Sequence, residues 1–527
     1  MELKKIEFSW KTIFAISLII FILFGLSAKA IQSANMSLTS DMSGEGLESM
    51  EIWAHQNYFL GGYYLPSQDT FLFTELLPFQ LIPQILTGYS PLALKIMVFV
   101  EFVLGTAILS YIVYLISESL MSALLFAALA MNLPPEGYYY FALPTSHMGT
   151  IVFLGIIFAL LIYMSKKEEE LTHRNRKGKV IHSTKIQWAY ILGLLILVAL
   201  TVVSDTIILP WLIVPYIIVY LLFIKEKSKT MNIAIVSMAI VSVIVYIFKT
   251  YFVPNWVVQD VFASGTTTDI VSKIVLYFQD LAVLLNQGLS SVSQGFAGFG
   301  ILEALSLLAF CALLAYAIKN VLEDRKRWLF FGVLLASGIT MFAMWLVSDY
   351  SVDSSSARYI TFTAFTVLML IAIGYREGNK VFGALIIAVL LISATYGVIQ
   401  LGEQQQPNAN YYGLISYLKE NNLTFGYGDF MDSNAITYLS GEGVTVRSAS
   451  YYTNTIQPYV WLSCDRWYQS TPDNSFILVD NSSLDDTGRS VVKSLTASLN
   501  ASGPLHYGQY DIYPLENFHI GSFQVQR

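Results

Sequence analysis

The sequence contains little charge and almost no cysteine. Of its 527 residues only 13% are charged and 55% are hydrophobic, and the mean hydropathy is +0.56. Because a soluble protein of this length carries far more charge, the composition predicts a polytopic membrane protein. The two cysteines, Cys311 in an apolar run and Cys464 in a polar region, are too few for a disulfide framework.

Motifs that identify several common chemistries are also missing. The sequence has no CxxC or HExxH pattern, so spacing identifies no metal site. Its C-terminal part has no GxGxxG or Walker pattern, which excludes a recognisable nucleotide site there. The net charge is −7 and no broad basic surface is indicated, so nucleic acid is not an expected partner.

Apolar runs predict eleven membrane-spanning helices. Lysine and arginine are concentrated in alternate loops, above all in 165–187, which predicts a cytoplasmic N-terminus and an extracytoplasmic C-terminal region in an integral cell-membrane protein. Residues 27–30 imitate a signal-peptidase site. Cleavage there is one interpretation and a signal anchor is the favoured one, because many spans follow. The runs are 12–26, 92–115, 120–133, 148–164, 187–203, 207–224, 231–252, 301–318, 329–347, 359–375 and 381–399.

The chain is predicted to divide near residue 400. Residues 1–399 form an α-helical transmembrane domain with a first outer loop at 30–91, and residues 400–527 form a small extracytoplasmic α/β domain. Residues 400–410 are expected to be a polar linker. The expected elements are a helix around Leu414, Ile415 and Leu418, half-buried strands at Val444/Val446 and Phe518/Ile520, a buried strand at Phe476–Val479, and a helix over 491–499.

Carboxylates cluster in the first outer loop, where the chain has just left its first predicted span. Leu47, Met50 and Ala54 recur with helical spacing, which predicts an interfacial helix with an apolar underside. Asp41 is expected on a glycine-containing loop before that helix. A solvated acidic loop is the alternative interpretation. The polar residues concerned are Asp41, Glu45, Glu48, Glu51 and His55.

The rest of this loop mixes aromatic residues with carboxylates. Residues 57–89 are too broken to span a membrane and too apolar for free solution, so short re-entrant or interfacial helices are predicted. Candidate ligand-binding side chains here are Tyr63, Tyr64, Asp69 and Glu75.

Three further ionisable residues lie at the predicted outer ends of spans, where charge is costly unless it is paired or used. His147 follows an aromatic run and is either a packing residue or a ligand for a sugar or phosphate. Asp205 is either a helix N-cap or a functional carboxylate. Arg358 either snorkels or pairs with Asp349 or Asp353, or else its donor fork binds phosphate oxygens.

The order of these parts resembles the GT-C superfamily of integral-membrane glycosyltransferases, which includes protein O-mannosyltransferases and aminoarabinose transferases. The resemblance rests on the acidic first outer loop, the multiple spans, the Arg358-Tyr359 pair and the extracytoplasmic tail. Residues 426–440, Gly-Tyr-Gly-Asp-Phe-Met-Asp-Ser-Asn-Ala-Ile-Thr-Tyr-Leu-Ser, look like a Gly-Tyr-x-Asp-Tyr-Trp…Leu-Thr-Phe-Leu-Ser stretch of prokaryotic GT-C proteins.

The resemblance implies a donor and a set of roles. Asp41 would be the catalytic base or a metal ligand, with Glu45 or Glu48 as substitutes because Met42 stands where the family often has Glu. A polyprenyl-phosphate-linked sugar would be the donor, and a glycan, lipid or protein the acceptor, by an inverting mechanism at the outer membrane face. Arg358 and Tyr359 would bind the donor. A divalent metal remains open.

Other expectations qualify this interpretation. The Trp-Trp-Asp-Tyr-Gly signature of oligosaccharyltransferases is absent, which argues against transfer of a whole oligosaccharide to asparagine. Aromatic residues would either stack on sugars or anchor the chain at the interface: Tyr63, Tyr64, Tyr139 and Tyr140. A transporter or lipid-linked-sugar flippase and a non-catalytic scaffold are the competing hypotheses. The scarcity of charge within the predicted spans favours chemistry at one face over transport.

Overall fold

Apolar helices form most of the chain. Within the described residues of the computed structural model, eight helices are long and apolar enough to cross a membrane. The structure describes all residues except 1–8, 66–68, 145–146, 177–183, 224–228, 253–269, 294–299, 325–327, 349–350, 352, 404–406, 453–454, 470–471, 483–485, 500–502 and 521–527. The eight helices are Trp10–Ala34, Pro91–Ser117, Met148–Lys166, Lys229–Tyr251, Ile301–Glu323, Trp328–Val347, Ser354–Ile373 and Lys380–Ile399. The shorter apolar helices are Leu72–Leu86, Leu120–Met131, Trp188–Ser204 and Leu209–Phe223. All eleven predicted runs are thus helical, and three of them belong to the shorter group.

The helices follow the apolar runs closely. Three α-helices are preceded directly by a π-helical or 3-10 segment. The α-helices are α1 (Trp10–Ala34), α2 (Ser40–Trp53), α3 (Ile82–Leu86), α4 (Pro91–Ser117), α5 (Leu120–Met131), α6 (Pro135–Phe141), α7 (Met148–Arg176), α8 (Thr184–Ser204), α9 (Val214–Phe223), α10 (Lys229–Phe252), α11 (Ile270–Leu285), α12 (Gln287–Ser293), α13 (Ile301–Glu323), α14 (Trp328–Val347), α15 (Thr361–Ile373), α16 (Lys380–Glu403), α17 (Ala409–Glu420), α18 (Phe430–Leu439) and α19 (Asp486–Ser498). π-Helical segments Leu72–Leu81 and Leu209–Ile213 precede α3 and α9, and the 3-10 helix Ser354–Ile360 precedes α15.

Two boundaries differ from the sequence-based prediction. Helix α16 continues to Glu403, into the segment expected to be a polar linker. Helices α11 and α12 lie between predicted spans, in a stretch for which the apolar runs indicated no helix. Helix Ser354–Ile373 is the most buried of the eight long helices, although Ser354 and Ser355 at its start are exposed.

Helix α2 contradicts the expected interfacial arrangement. Asp41 lies in its first turn and not on a preceding loop, because Thr39 caps the helix by accepting the amide N–H of Met42 at 3.4 Å. Gly44 and Gly46 are helical residues, and a Cβ atom at Gly46 would meet the ring of Tyr438. Both faces of α2 are therefore covered by protein, including the face that carries the carboxylates.

The C-terminal part of the chain is mixed α/β, as predicted. Its six-stranded sheet has the order β4-β3-β2-β6-β8-β7, in which β2 is parallel to β3 and β6 and the other pairs are antiparallel. The predicted helix around Leu414 and the predicted strand at Phe476–Val479 are confirmed as α17 and β6. The strand predicted at Phe518/Ile520 is wrong, because β8 ends at Glu516. The strands are β1 (Tyr63–Tyr64), β2 (Phe425–Gly428), β3 (Thr445–Tyr452), β4 (Thr455–Pro458), β5 (Ser463–Cys464), β6 (Asn474–Asp480), β7 (Leu505–Tyr507) and β8 (Tyr510–Glu516).

The C-terminal part packs directly on the first-loop region. Strand β1 pairs antiparallel with β5, so Tyr63 lies opposite Cys464. Glu51 of α2 is 1% exposed, and one of its oxygens accepts hydrogen bonds from Arg466 Nη2 and Trp467 Nε1, each at 2.6 Å. The Tyr438 hydroxyl donates to Gln84 Oε1 at 2.7 Å. Helix α2 is thus held between the helical bundle and the C-terminal part of the chain, through α18 and the 3-10 helix Asp465–Tyr468.

Candidate active site

Asp41 and Arg358, which are far apart in the sequence, meet in the structure. Arg358 Nη1 lies 3.8 Å from Asp41 Oδ2, and the Asp41 side chain is 39% exposed. Asp41 is near the N-terminus of α2, where the helix dipole favours a carboxylate. The pair therefore combines an accessible proton acceptor with a fixed cation.

Arg358 is positioned by the 3-10 helix that starts the most buried long helix. Asp353 caps this helix by accepting the Ser355 amide N–H at 2.8 Å, and its charge acts on Arg358, but the direct ion pair of Arg358 within the described residues is with Asp41. Asp349, the other suggested partner, lies outside the described residues. Arg358 Nη2 donates to the Tyr359 hydroxyl at 3.2 Å. Its Nε is buried and has no hydrogen-bond partner among the described residues, so this N–H is available to a ligand.

His147 and Asp205 form a buried pair. His147 Nδ1 lies 2.6 Å from Asp205 Oδ2, which also accepts the Thr150 hydroxyl at 2.5 Å. Asp205 additionally caps the following turn, because its Oδ1 accepts the Ile207 amide at 3.0 Å. The capping role considered for Asp205 is thus present, and its functional role stays a prediction. Burial works against the charged imidazole, but Asp205 outweighs it and raises the pKa of His147 above its ordinary value.

Asp69 lies beside this pair and contacts a buried lysine. Asp69 Oδ1 accepts the amide and the hydroxyl of Thr206 at 2.8 and 3.0 Å. Lys249 Nζ is 3.5 Å from the same oxygen, and Lys249 is only 2% exposed. In the sequence, Lys249 is one of the few basic residues that lie outside the predicted basic loops. Its position within a strongly apolar run was the signal that could have marked it as a buried, used charge.

These side chains lie at the polar end of an apolar cavity of about 590 Å³. Asp69, His147 and Tyr359 line that end. The imidazole of His147 packs on Tyr359 with ring centroids 5.5 Å apart, and its Nε2 has no hydrogen-bond partner in the described part of the chain. The remaining wall is mainly apolar: Ile207, Pro210, Val214, Met341, Trp345 and Val347. Such a shape suits a molecule with an anionic head and a hydrocarbon tail.

The other first-loop carboxylates do not line this cavity. Glu45 and Glu48 are 1% and 3% exposed, and Glu75 is equally buried and accepts the Gly149 amide at 3.2 Å. Burial, and then repulsion by the Glu48 carboxylate, raises the pKa of Glu45. Burial, and then repulsion by the Glu75 carboxylate, raises the pKa of Glu48. The structure therefore separates Glu45 and Glu48, inside the protein, from the accessible Asp41.

Two candidate tyrosines lie at the junction with the C-terminal sheet. The Tyr63 ring is fully buried, packs edge-on against Trp467 at 5.8 Å, and its hydroxyl donates to the Gly44 carbonyl at 3.2 Å. Tyr64 belongs to the same short strand pair. In this conformation the Tyr63 ring offers no face to a sugar.

The surroundings of Asp41 do not fit a divalent metal. Among the described residues no group of three or more His, Cys, Asp or Glu side chains is arranged to hold a metal ion. The nearest charged partner of Asp41 is a guanidinium, which repels a dication.

Comparison with known proteins identifies the fold. The sequence matches no protein-family model and no curated protein sequence. The structure is similar to ArnT from Cupriavidus metallidurans in the apo state (TM-score 0.57, 11% identity, 94% of this chain and 97% of that chain) and bound to undecaprenyl phosphate (TM-score 0.53, 10% identity, 94% and 97%).

A second similarity is to an archaeal protein. It is the oligosaccharyltransferase AglB from Archaeoglobus fulgidus in complex with an inhibitory peptide and a dolichol-phosphate (TM-score 0.50, 14% identity, 94% of this chain and 73% of that chain). Against the apo oligosaccharyltransferase of that organism, the chain spans 64% of the other protein's length, with 82% of this chain covered, 15% identity and a TM-score of 0.49. The resemblance inferred from the sequence is confirmed at the level of architecture: the chain has the GT-C fold of integral-membrane glycosyltransferases.

Proposed function

We propose that this protein is a membrane glycosyltransferase that transfers a sugar from a polyprenyl-phosphate-linked donor to an acceptor hydroxyl. The observation that carries the proposal is the 3.8 Å contact between Asp41 and Arg358 beside an apolar cavity with a polar end. Two proteins of similar fold are described in complex with a polyprenyl phosphate, undecaprenyl phosphate in one and dolichol phosphate in the other. A lipid phosphate matches both parts of this cavity.

The polyprenyl chain would lie along the apolar wall, with the phosphate near Tyr359 and His147. Arg358 has an unused Nε N–H, and its planar fork can donate two parallel hydrogen bonds to phosphate oxygens. His147 donates through Nδ1 to Asp205, which directs a second donor, Nε2–H, toward the cavity when the ring is protonated. Both groups stabilise the charge that develops on the leaving phosphate.

Asp41 is the base in this proposal. The acceptor oxygen attacks the anomeric carbon and forms the new C–O bond, while the bond between that carbon and the phosphate oxygen breaks and its electron pair stays on the phosphate. The acceptor proton passes to the Asp41 carboxylate. One displacement inverts the anomeric configuration. Glu45 and Glu48 lie too deep in the protein to receive this proton directly, so we assign them no step.

The orientation is also part of the proposal. The basic loops suggest that the C-terminal sheet is extracytoplasmic. Since α2 carries Asp41 and packs on that sheet, the reacting groups would lie at the outer face. Tyr359 connects Arg358 to the cavity and is assigned to donor binding.

The test measures release of free polyprenyl phosphate by purified protein in lipid nanodiscs. Asp41→Asn removes the proton acceptor with little change in size and should lower turnover by about a hundred- to ten-thousand-fold. Asp473→Asn, at an exposed position of the C-terminal region, is the matched control and should retain wild-type turnover. Near-normal turnover in folded Asp41→Asn protein would remove Asp41 from this role. In sealed proteoliposomes, donor movement across the bilayer without bond cleavage would replace the transferase by a flippase.

A further inference from the structure

A second cavity, of about 670 Å³, lies next to the Asp41–Arg358 pair. Thr39, which caps α2, and Ser354, which begins the helix of Arg358, both line it. Tyr139 also lines it and is close enough to Asp41 and Arg358 for both charges to act on its hydroxyl. The pair therefore has an apolar cavity on the Tyr359 side and this second cavity on the Tyr139 side.

The lining of the second cavity is chemically different from that of the first. Its polar groups are the amides Gln32 and Gln279, the carboxyls Glu136 and Asp280, the phenols Tyr139 and Tyr140, and the hydroxyls Ser37, Thr39 and Ser354. Among the described residues that line it there is no lysine or arginine. Tyr139 and Tyr140 pack edge to face with centroids 5.4 Å apart, and Tyr140 hydrogen-bonds Ser354. Amides, carboxyls and aromatic faces together suit sugar hydroxyls and the apolar faces of sugar rings.

Asp280 provides an independent indication of a ligand. It is only 2% exposed, yet its Oδ2 has no hydrogen-bond partner among the described residues. A buried polar atom left unpaired is unfavourable, and a ligand that donates a hydrogen bond to it would remove that cost. Burial and then the nearby Asp353 raise the pKa of Asp280 to about 8. At neutral pH its carboxyl is mostly uncharged and both donates and accepts hydrogen bonds.

We propose that this cavity holds the acceptor, and that the acceptor group is an uncharged carbohydrate whose hydroxyl reaches Asp41. The proposal rests on the transferase function above and adds the acceptor class to it. An anionic acceptor would meet the exposed Glu136 carboxylate, and the described cavity wall supplies no lysine or arginine to offset that charge. Because the Asp280 carboxyl is mostly uncharged, an acceptor that carries an ammonium group gains no ionic attraction there over one that carries a hydroxyl.

The test is a binding experiment that needs no turnover. Saturation-transfer NMR on the full chain in nanodiscs at pH 7 would compare the methyl glycosides of glucose, galactose and mannose with methyl glucuronide and methyl glucosaminide. At least one neutral glycoside should bind, and the uronide should not. Asp280→Leu should weaken that binding by about tenfold. Asp473→Leu, the same change at an exposed position, should leave it unchanged.

Charge reversal at the rim supplies a second, independent measurement. Glu136 is exposed, so Glu136→Lys is expected to fold and to admit methyl glucuronide. Equal binding of neutral and anionic sugars by the wild type would overturn the proposal. So would neutral-sugar binding that is insensitive to both Asp280→Leu and Glu136→Lys. Selective binding without any release of polyprenyl phosphate would instead count against the transferase function, and release to a non-sugar acceptor would count against the acceptor class alone.

Discussion

Arg358 allows the sharpest test of donor binding. Its guanidinium has one hydrogen bond to the Tyr359 hydroxyl, one long ionic contact with Asp41 and an unused Nε. Two charge-assisted hydrogen bonds to a phosphate are worth about 3 kcal/mol together, so Arg358→Ala should lower kcat/KM about a hundredfold. Arg358→Lys keeps the charge but loses the rigid fork and should recover only part of this loss.

The assay is the rate of polyprenyl phosphate release at several donor concentrations. Arg376→Ala is the matched control, because Arg376 follows the other end of the same long helix and pairs with Glu323 at 2.6 Å. A merely snorkelling Arg358 would respond to alanine no more than Arg376 does. If folded Arg358→Ala keeps kcat/KM within threefold of the wild type while Arg376→Ala behaves likewise, the phosphate role is refuted.

Three further predictions follow from the same contacts. Donor binding should weaken as the pH rises through the raised pKa of His147, because only the imidazolium carries both N–H donors. His147→Gln cannot ionise, so its donor affinity, measured in a binding titration, should not change with pH. Glu51→Ala should lower the free energy of unfolding by about 2–3 kcal/mol, read as a lower Tm, since it leaves the buried Trp467 N–H unpaired, whereas an unchanged Tm would show that the junction contributes little. With Cys311 and Cys464 replaced by serine, a cysteine at residue 175 should resist an impermeant thiol reagent in intact cells, and its labelling there would reverse the predicted topology.

The sequence predicted the apolar helices well because the signal is local. Lengths and positions of the spans follow from runs of hydrophobic residues, and all eleven appear as helices. Asp41 and Arg358 could also be singled out one by one, since charge is rare at the ends of such helices. Their contact could not be predicted, because it depends on how α2 and the 3-10 helix Ser354–Ile360 pack.

The buried carboxylates of α2 show the other limit. An isolated segment rich in glutamate is expected to face water, so Glu45, Glu48 and Glu51 suggested an exposed or interfacial helix. Glu51 is buried because Arg466 and Trp467, from the far end of the chain, satisfy one of its oxygens. Lys249 is a similar case, since its partner Asp69 comes from the segment between α1 and α4. Partners that are distant in sequence leave no local pattern.

The C-terminal part of the chain positions the proposed base. Helix α2 reaches from Asp41 at one end to Glu51 near the other, and α18 and the 3-10 helix Asp465–Tyr468 contact it along its length. The Ala435 amide donates to the Ser40 hydroxyl at 3.4 Å, Tyr438 packs against Gly46, and Arg466 binds Glu51. A shift of α2 would change the distance between Asp41 and Arg358, which is carried by the helical bundle. The distance between Asp41 and Arg358 therefore depends on both predicted domains. Loss of the contacts between α2 and the C-terminal part should impair catalysis even though no reacting residue is changed.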